Sequence, residues 1–273
     1  MSLTIATVNV NGLRAAARKG MGEWIAATSA DVITLQEVRA PDELVPDLVG
    51  EGWAVVAEAS RLKGRAGVAI AVRESALTAD LEGVRRGLPG LEEDAHSGRW
   101  LEIDLGGAAG DGKVVTVISC YLHSGSVEKP QTMIDKYAFL DVMMERLAAL
   151  RADGRHVVLT GDINIAHTEW DIKNWKGNLK SAGFLPEERA YLDRLTAELG
   201  WVDVHRAVHG EGPGPYTWWS QRGKAFDNDS GWRIDYELVT PELAGRATSA
   251  QVDRAPSYDI RWSDHAPLVI SYG

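Results

Sequence analysis

Short apolar runs closed by glycine or polar residues recur along this chain, and each predicts a strand. Such runs span Leu3–Val10, Asp31–Val38, Trp53–Ala59, Gly67–Val72, Lys113–Leu122 and His156–Asn164. Trp100–Leu105 alternates Leu101, Ile103 and Leu105 with Glu102 and Asp104, the period of a half-buried strand. Elsewhere the period changes. Arg14–Thr28, rich in alanine, predicts a helix. Between Gln131 and Leu150, residues Met133, Tyr137, Leu140, Met144 and Leu147 recur at spacings of four, three, four and three, an amphipathic helix stripe stopped by Asp153-Gly154. Another helix is expected over Glu187–Leu199, ended by Gly200. Short strands are expected around Tyr216–Trp219, Trp232–Thr240, Ala247–Asp253 and Ala266–Tyr272. These strands are too numerous for one flat sheet, so the economical arrangement is α/β, two sheets with helices outside. No linker-like tract interrupts the chain, and 1–273 reads as one domain.

The polar residues that close the strands carry the candidate chemistry. Val157–Thr160 runs into Gly161, and Asp162 and Asn164 follow two residues apart, so on an extended backbone both side chains point the same way. The carboxyl end of a central strand is where open α/β sheets commonly place their sites. A fainter echo stands at the first strand, where T-V-N-V-N at 7–11 parallels T-G-D-I-N at 160–164. Other strand ends supply Asn9, Glu37, Tyr121, Asp235, Asp264 and His265. Each alone is an ordinary turn, cap or surface residue. Together they supply hard oxygen donors, which favour Mg²⁺ or Mn²⁺ over zinc, and one group that changes charge near neutral pH. Orienting a water, neutralising phosphoryl oxygens and assisting a leaving oxygen are the needs of phosphodiester hydrolysis, and this set covers them.

Composition qualifies that picture. The 273 residues are 45% hydrophobic and 25% charged, an ordinary globular balance. No apolar run approaches a membrane span, and the start has no basic and apolar leader pattern. The single cysteine, Cys120, excludes an intrachain disulfide and fits a reducing compartment, the cytoplasm. Lys plus Arg number 29 against 39 Asp plus Glu, a net charge of −10. That balance argues against a sequence-independent DNA coater but not against a catalyst that visits DNA, because acidic metal ligands count in the total without repelling phosphate once metal is bound.

The runs TVNVNGLRAA (7–16), ITLQEVR (33–39), GRAGVAI (64–70), ISCYLHSG (118–125), LTGDINIAHTEWDIKNWKGN (159–178), SAGFLPEER (181–189), YTWWS (216–220), GWRIDYELVT (231–240) and SDHAPL (263–268) occur in order over nearly the whole chain. They resemble the exonuclease III / abasic-site endonuclease family. The resemblance implies a four-layer α/β sandwich of the deoxyribonuclease I type, two mixed sheets face to face with helices outside. It implies a Mg²⁺- or Mn²⁺-dependent repair enzyme, a monomer acting on double-stranded DNA at abasic sites or 3′ ends. Carried over by motif position, Glu37 looks like the principal metal ligand, with Asn9 and Asp264, and with Asp162 and Asn164 beside them. Asp162 resembles the residue that manages the attacking water, and Asn164 its partner on the phosphate. Asp235 resembles the carboxylate paired with His265, which would contact the scissile phosphate beside Tyr121. Asn178, Trp219 and Trp232 match positions that contact DNA or wall the sugar pocket. Asp235 beside His265 favours the imidazolium, so His265 is expected to clamp phosphate more than to act as a base.

Four departures from that pattern stand out. Asn11 occupies a position where some relatives carry aspartate, and Ser181 one where asparagine is frequent. LHSGSVEKP lacks an arginine that some relatives use in the groove, and KAFDNDSG places Asp227 and Asp229 where a basic loop is expected. The expectation is weaker, strongly salt-sensitive DNA binding. Two other functions are open at this point: a small-molecule or lipid phosphodiesterase on the same fold, and a non-catalytic DNA-binding module.

Overall fold

The computed structural model describes residues 2–76, 81–108 and 110–273, and for Glu82 the backbone only. Twelve strands among them form two six-stranded sheets. The first contains β1 (Leu3–Asn9), β2 (Val32–Gln36), β3 (Trp53–Glu58), β4 (Val68–Arg73), β11 (Ala247–Val252) and β12 (Leu268–Tyr272), in the order β11-β12-β1-β2-β4-β3. The second contains β5 (Glu82–Arg86), β6 (Trp100–Gly106), β7 (Val114–Tyr121), β8 (His156–Asp162), β9 (Val202–Asp203) and β10 (Asp235–Val239), in the order β5-β6-β7-β8-β10-β9. Each sheet is mixed. Its one parallel pair, β1 with β2 or β7 with β8, lies near its centre. A parallel pair needs a crossover. Helices α1 (Leu13–Arg18) and α2 (Met21–Ala27) supply it in the first sheet. Helix α4 (Pro130–Ala152) supplies it in the second, α3 being Val45–Val49.

Three apolar layers make four structural ones. Ile5, Val32, Val68 and Ile70 of the first sheet meet Leu101, Ile103, Val117 and Val158 of the second. The outer face of the first sheet, with Ile33, Leu35 and Ala69, packs on Leu13, Ala16, Met21 and Ile25 of α1 and α2. Leu159, Ile118 and Leu238 on the outer face of the second pack on Phe139, Leu140, Met143 and Leu147 of α4, and on Leu192 of α5 (Pro186–Asp193). This is the expected sandwich.

Several local expectations are corrected. The helix expected over Arg14–Thr28 is two helices, because Gly20 takes a left-handed φ of 105° and breaks the run. Tyr216–Trp219 forms no strand; Trp218 makes only isolated bridges, to Trp232 and His265. The helix begun at Pro186 passes into a π-helical turn over Arg194–Glu198. Edge strand β5, carrying Gly83 and two arginines, and the short β9 and α6 (Val204–His209) had no clear apolar period to reveal them. Glu102, an outward position by alternation, is buried because Arg85, Arg146 and the Trp100 indole all bond its carboxylate. On α4 the buried face runs Met133, Lys136, Phe139, Leu140, Met143, Leu147 and Leu150, so a lysine stands where Tyr137 was expected and Met143 where Met144 was.

Candidate active site

The central strands end at one edge of the sandwich. β1, β2, β7 and β8 finish there with Asn9, Gln36, Tyr121 and Asp162, while antiparallel β10 begins there with Asp235. The loop entering β12 brings Ser263, Asp264 and His265. Six distant stretches of sequence therefore meet because topology makes their strand ends neighbours.

Local backbone features aim the side chains. Glu37 and Asn164, each just past a strand, have φ of 51°, a conformation non-glycine residues adopt only when their surroundings hold them. For Asn164 the restraint is visible: its N–H donates to Asp162 Oδ1 at 3.0 Å and its Nδ2 to the Leu122 carbonyl at 2.9 Å. Gly161 lies so close to β7 that a Cβ there would stand 1.9 Å from the Cys120 carbonyl oxygen. Arg233 is fully buried between Asp171 (2.6 Å) and Asp203 (2.8 Å), which anchors the segment carrying Trp232.

A cavity of about 450 Å³ opens at this edge. Among its lining residues are Asn11, Glu37, Arg39, Tyr121, Asp162, Asn164, Trp218, Trp232, Asp264 and His265. Asp162 Oδ2 accepts from Asn9 Nδ2 at 2.9 Å, a bond that joins the two sheets. His265 Nδ1 donates to Asp235 Oδ2 at 2.9 Å, and its Nε2 faces Asp162 Oδ2 at 3.8 Å. Asp264 accepts from Asn11 Nδ2 at 2.9 Å and from the Trp218 indole at 3.3 Å. The Tyr121 hydroxyl donates to Glu37 Oε1, and Arg39 pairs with Glu37 Oε2.

These contacts set the protonation states. Burial alone would depress His265, but the Asp235 ion pair and hydrogen bond outweigh it, with Asp162 and Asp264 adding, and the imidazole is raised to about 10. It is an imidazolium at neutral pH. Burial pushes Asp162 up to about 7, against the pull of His265. Burial and the adjacent Glu37 carboxylate also hold the Tyr121 phenol well above its ordinary range, so it remains a donor.

Of the predicted residues, Glu37, Tyr121, Asp162, Asn164, Trp232, Asp264 and His265 line the cavity together, with Asp235 behind His265. Asn9 does not line it: fully buried, it uses its amide on Asp162 and its Oδ1 on the Asn11 N–H, and so orients Asp162 from beneath. Asn178 lies outside the lining but bonds Ser181, which is part of it. Trp219 is buried among Tyr216, Phe226 and Ala266, and the cavity tryptophan of the pair is Trp218. Adjacent identical residues in an irregular segment gave sequence reasoning no parity to choose between them. Arg39, Asn11 as a partner of Asp264, and Thr217, whose hydroxyl accepts from the Asp235 N–H, also went unassigned.

Asp162, Asp235 and His265 offer ligand atoms within 4.8 Å of one another. Because His265 Nδ1 is committed to Asp235 at 2.9 Å and its Nε2 faces Asp162 at 3.8 Å, this cluster is a set of ion pairs around one imidazole more than a cation cage. Glu37 and Asp264 supply carboxylate oxygens to the same cavity, and a hard-oxygen set of that kind fits Mg²⁺ or Mn²⁺.

Residues 6–265 match the model of the Endonuclease/Exonuclease/phosphatase family. Over 261 residues the chain is 34% identical to the exodeoxyribonuclease of Bacillus subtilis (strain 168), covering 95% of each. Its fold is similar to an AP endonuclease from Archaeoglobus fulgidus, with a TM-score of 0.84 and 28% identity over 99% of each chain. It is also similar to a 3′-5′ exonuclease (NExo) from Neisseria meningitidis, with a TM-score of 0.85 and 29% identity over 99% of each.

Proposed function

The chain belongs to the endonuclease/exonuclease/phosphatase family, and on that footing we propose that it is a metal-dependent DNA repair nuclease. It hydrolyses the phosphodiester 5′ to abasic sites and removes nucleotides or blocking groups from 3′ ends. The observation that carries this reading is the meeting of Glu37, Asp264, Asp162, Asn164 and a charged His265 on one cavity. The curated relative named an exodeoxyribonuclease, aligned along nearly the full chain, supports DNA as substrate. The Trp218 and Trp232 rings, 6.1 Å apart and edge to face, give the cavity an apolar wall suited to a sugar without its base.

Glu37 and Asp264 would hold the Mg²⁺ or Mn²⁺ ion, with Asp162 and Asn164 beside it. Such an ion supplies charge neutralisation to the phosphoryl oxygens and the leaving oxygen. The chain's own residues do the rest. Asp162, fixed on both oxygens by Asn9 and the Asn164 N–H, orients a water and accepts its proton; a carboxylate poised near neutrality suits that work. The Asn164 carboxamide and the His265 imidazolium hold the phosphate and meet the charge that builds on it. Asp235 keeps the imidazole charged and oriented. The Tyr121 hydroxyl, held protonated at neutral pH by burial and the Glu37 carboxylate, donates toward the same region. None of these contacts reads a base, which suits an enzyme indifferent to sequence. The enzyme acts as a monomer in the cytoplasm.

One panel of duplexes tests the reading: an internal abasic site, a recessed 3′ end, a nick and an RNA–DNA hybrid, each with Mg²⁺, Mn²⁺ or chelator. Cleavage of the abasic or 3′ substrates that chelator abolishes is expected. Cleavage indifferent to chelator, or none on any duplex, contradicts it.

A further inference from the structure

Lys136 is the residue on the buried face of α4 that apolar spacing does not explain. It stands near Met133, Leu140 and Met143, fully buried, and its Nζ pairs at 2.6 Å with Oε1 of Glu188, also fully buried. A buried ion pair is weak evidence of a stabilising role, since apolar residues of similar volume commonly serve as well. What sets this pair apart is where its other bonds go. Lys136 Nζ donates to the Asn164 carbonyl at 2.9 Å and to the Ser124 carbonyl at 3.2 Å. Glu188 Oε2 accepts from the Gly183 N–H at 2.6 Å and from the Leu185 N–H at 3.0 Å. Asn164, Ser124 and Gly183 all line the catalytic cavity, yet they come from three separate segments. Those segments are also closely fitted: a Cβ on Gly183 would stand 3.0 Å from the Asn164 carbonyl oxygen and 3.2 Å from the Trp232 ring. Asn164, meanwhile, sits at a φ its neighbours must enforce.

We propose that Lys136 and Glu188 are a positioning pair, which locks three backbone segments into one wall of the cavity and so fixes the Asn164 carboxamide for the transition state. Neither side chain reaches substrate. Both act through Asn164, and the inference rests on the nuclease reading above. A positioning role predicts a loss in kcat with KM nearly unchanged, because a misplaced group is missed most when charge is developing.

Cleavage of a duplex with one internal abasic site, in Mg²⁺, tests it. Replacing both partners, Lys136→Met with Glu188→Met, preserves volume and leaves no unpaired charge, but it takes these bonds from the Asn164 and Ser124 carbonyls and the Gly183 and Leu185 N–H groups, so the variant is expected to melt below the wild type and is assayed well below its own melting temperature. Its kcat should fall at least about tenfold while KM stays within about threefold. In an Asn164→Ala background the same replacement should cost less than about twofold more, since its effect passes through that residue. Glu188→Asp, which keeps the charge balance and withdraws the carboxylate by one methylene, provides a second variant should the first fail to fold; its kcat should fall as well. Unchanged kcat in a folded variant, or full additivity with Asn164→Ala, overturns the positioning role alone. A wild-type protein that leaves the duplex intact overturns the nuclease reading and the pair's role with it.

Discussion

Asp235 never meets the cavity as a lining residue, yet it decides the charge of the one that does. Burial would leave His265 neutral; the 2.9 Å bond to Asp235 keeps it protonated throughout the neutral range. In Asp235→Asn that support is gone, and burial draws the imidazole pKa down from its raised value into the neutral range. Activity of this variant should therefore fall as pH rises through that region, where the wild type keeps its clamp, and kcat/KM at pH 8 should drop about 100-fold. A pH–rate profile checks this, and a basic limb identical to wild type would contradict it. Asp162 and Asn164 were legible as polar residues closing an apolar run, but their i, i+2 spacing is not what unites them: β8 ends at Asp162, and Asn164 reaches the cavity through a turn at a φ of 51°. Asn9 was legible as a polar strand end, but it does not stand among the cavity's oxygen donors as expected, because its side chain is spent on Asp162 and the Asn11 N–H. Lys136 was hidden by its own chemistry: a lysine in a helix reads as a solvated position, and only the fold reveals the buried carboxylate opposite.

At the scale of elements, the close approach of β8 to β7 hangs on Gly161. Gly161→Ala brings a methyl into the Cys120 carbonyl at a φ of 128°, and should destabilise the protein by on the order of 3 kcal/mol, measured by denaturant melting. A variant as stable as wild type would mean that β8 can move outward without cost. Within β10, Glu237 is buried between the sheets with Tyr272 donating to one oxygen at 2.9 Å and its other oxygen without a partner among the described residues. Burial raises its pKa well above the usual carboxylate range, so the folded state binds a proton that the unfolded chain releases near pH 4.3. Stability is thus fully present below that value and declines as pH rises toward the folded pKa. Glu237→Gln should abolish this decline, gaining melting temperature relative to wild type at pH 8 but not at pH 4. An equal difference at both pH values would contradict the assignment. Regular apolar strands and the span of α4 were readable from period, although Lys136, Phe139 and Met143 are fully buried where Tyr137 and Met144 were expected. β5, β9 and the 216–219 segment were not, because edge positions and irregular loops carry no period.

For the whole molecule, the net charge of −10 is the feature hardest to reconcile with DNA, and the 224–230 loop bears on it directly. Its two aspartates are not equivalent. Asp229 accepts from the Trp219 indole at 2.9 Å and lies 3.9 Å from Arg254, so its charge serves the loop's own structure. Asp227 is exposed. Asp227→Lys should therefore tighten duplex binding and steepen its salt dependence by about one phosphate contact, whereas Asp229→Asn should mainly loosen the loop. Affinity titrations across salt concentrations check this; an equal gain from both substitutions would contradict it. The sequence alone treated the loop as uniformly acidic because it could not show that one acid is tethered. The sandwich itself was readable from strand count and motif order, while the meeting of six strand ends at one edge follows from the sheet order, which no local pattern contains.

Everything proposed for this cavity depends on its hydrolysing phosphodiesters in DNA with a divalent ion and Asp162. The most direct measurement follows a 5′-labelled duplex with one internal abasic site, cut by wild type and by Asp162→Asn, with Mg²⁺ and with chelator. Cleavage on the 5′ side of the lesion by wild type in Mg²⁺ alone is expected, with a rate at least about 10³-fold lower for Asp162→Asn. Cleavage that persists in chelator, or that Asp162→Asn carries out at the wild-type rate, would contradict it.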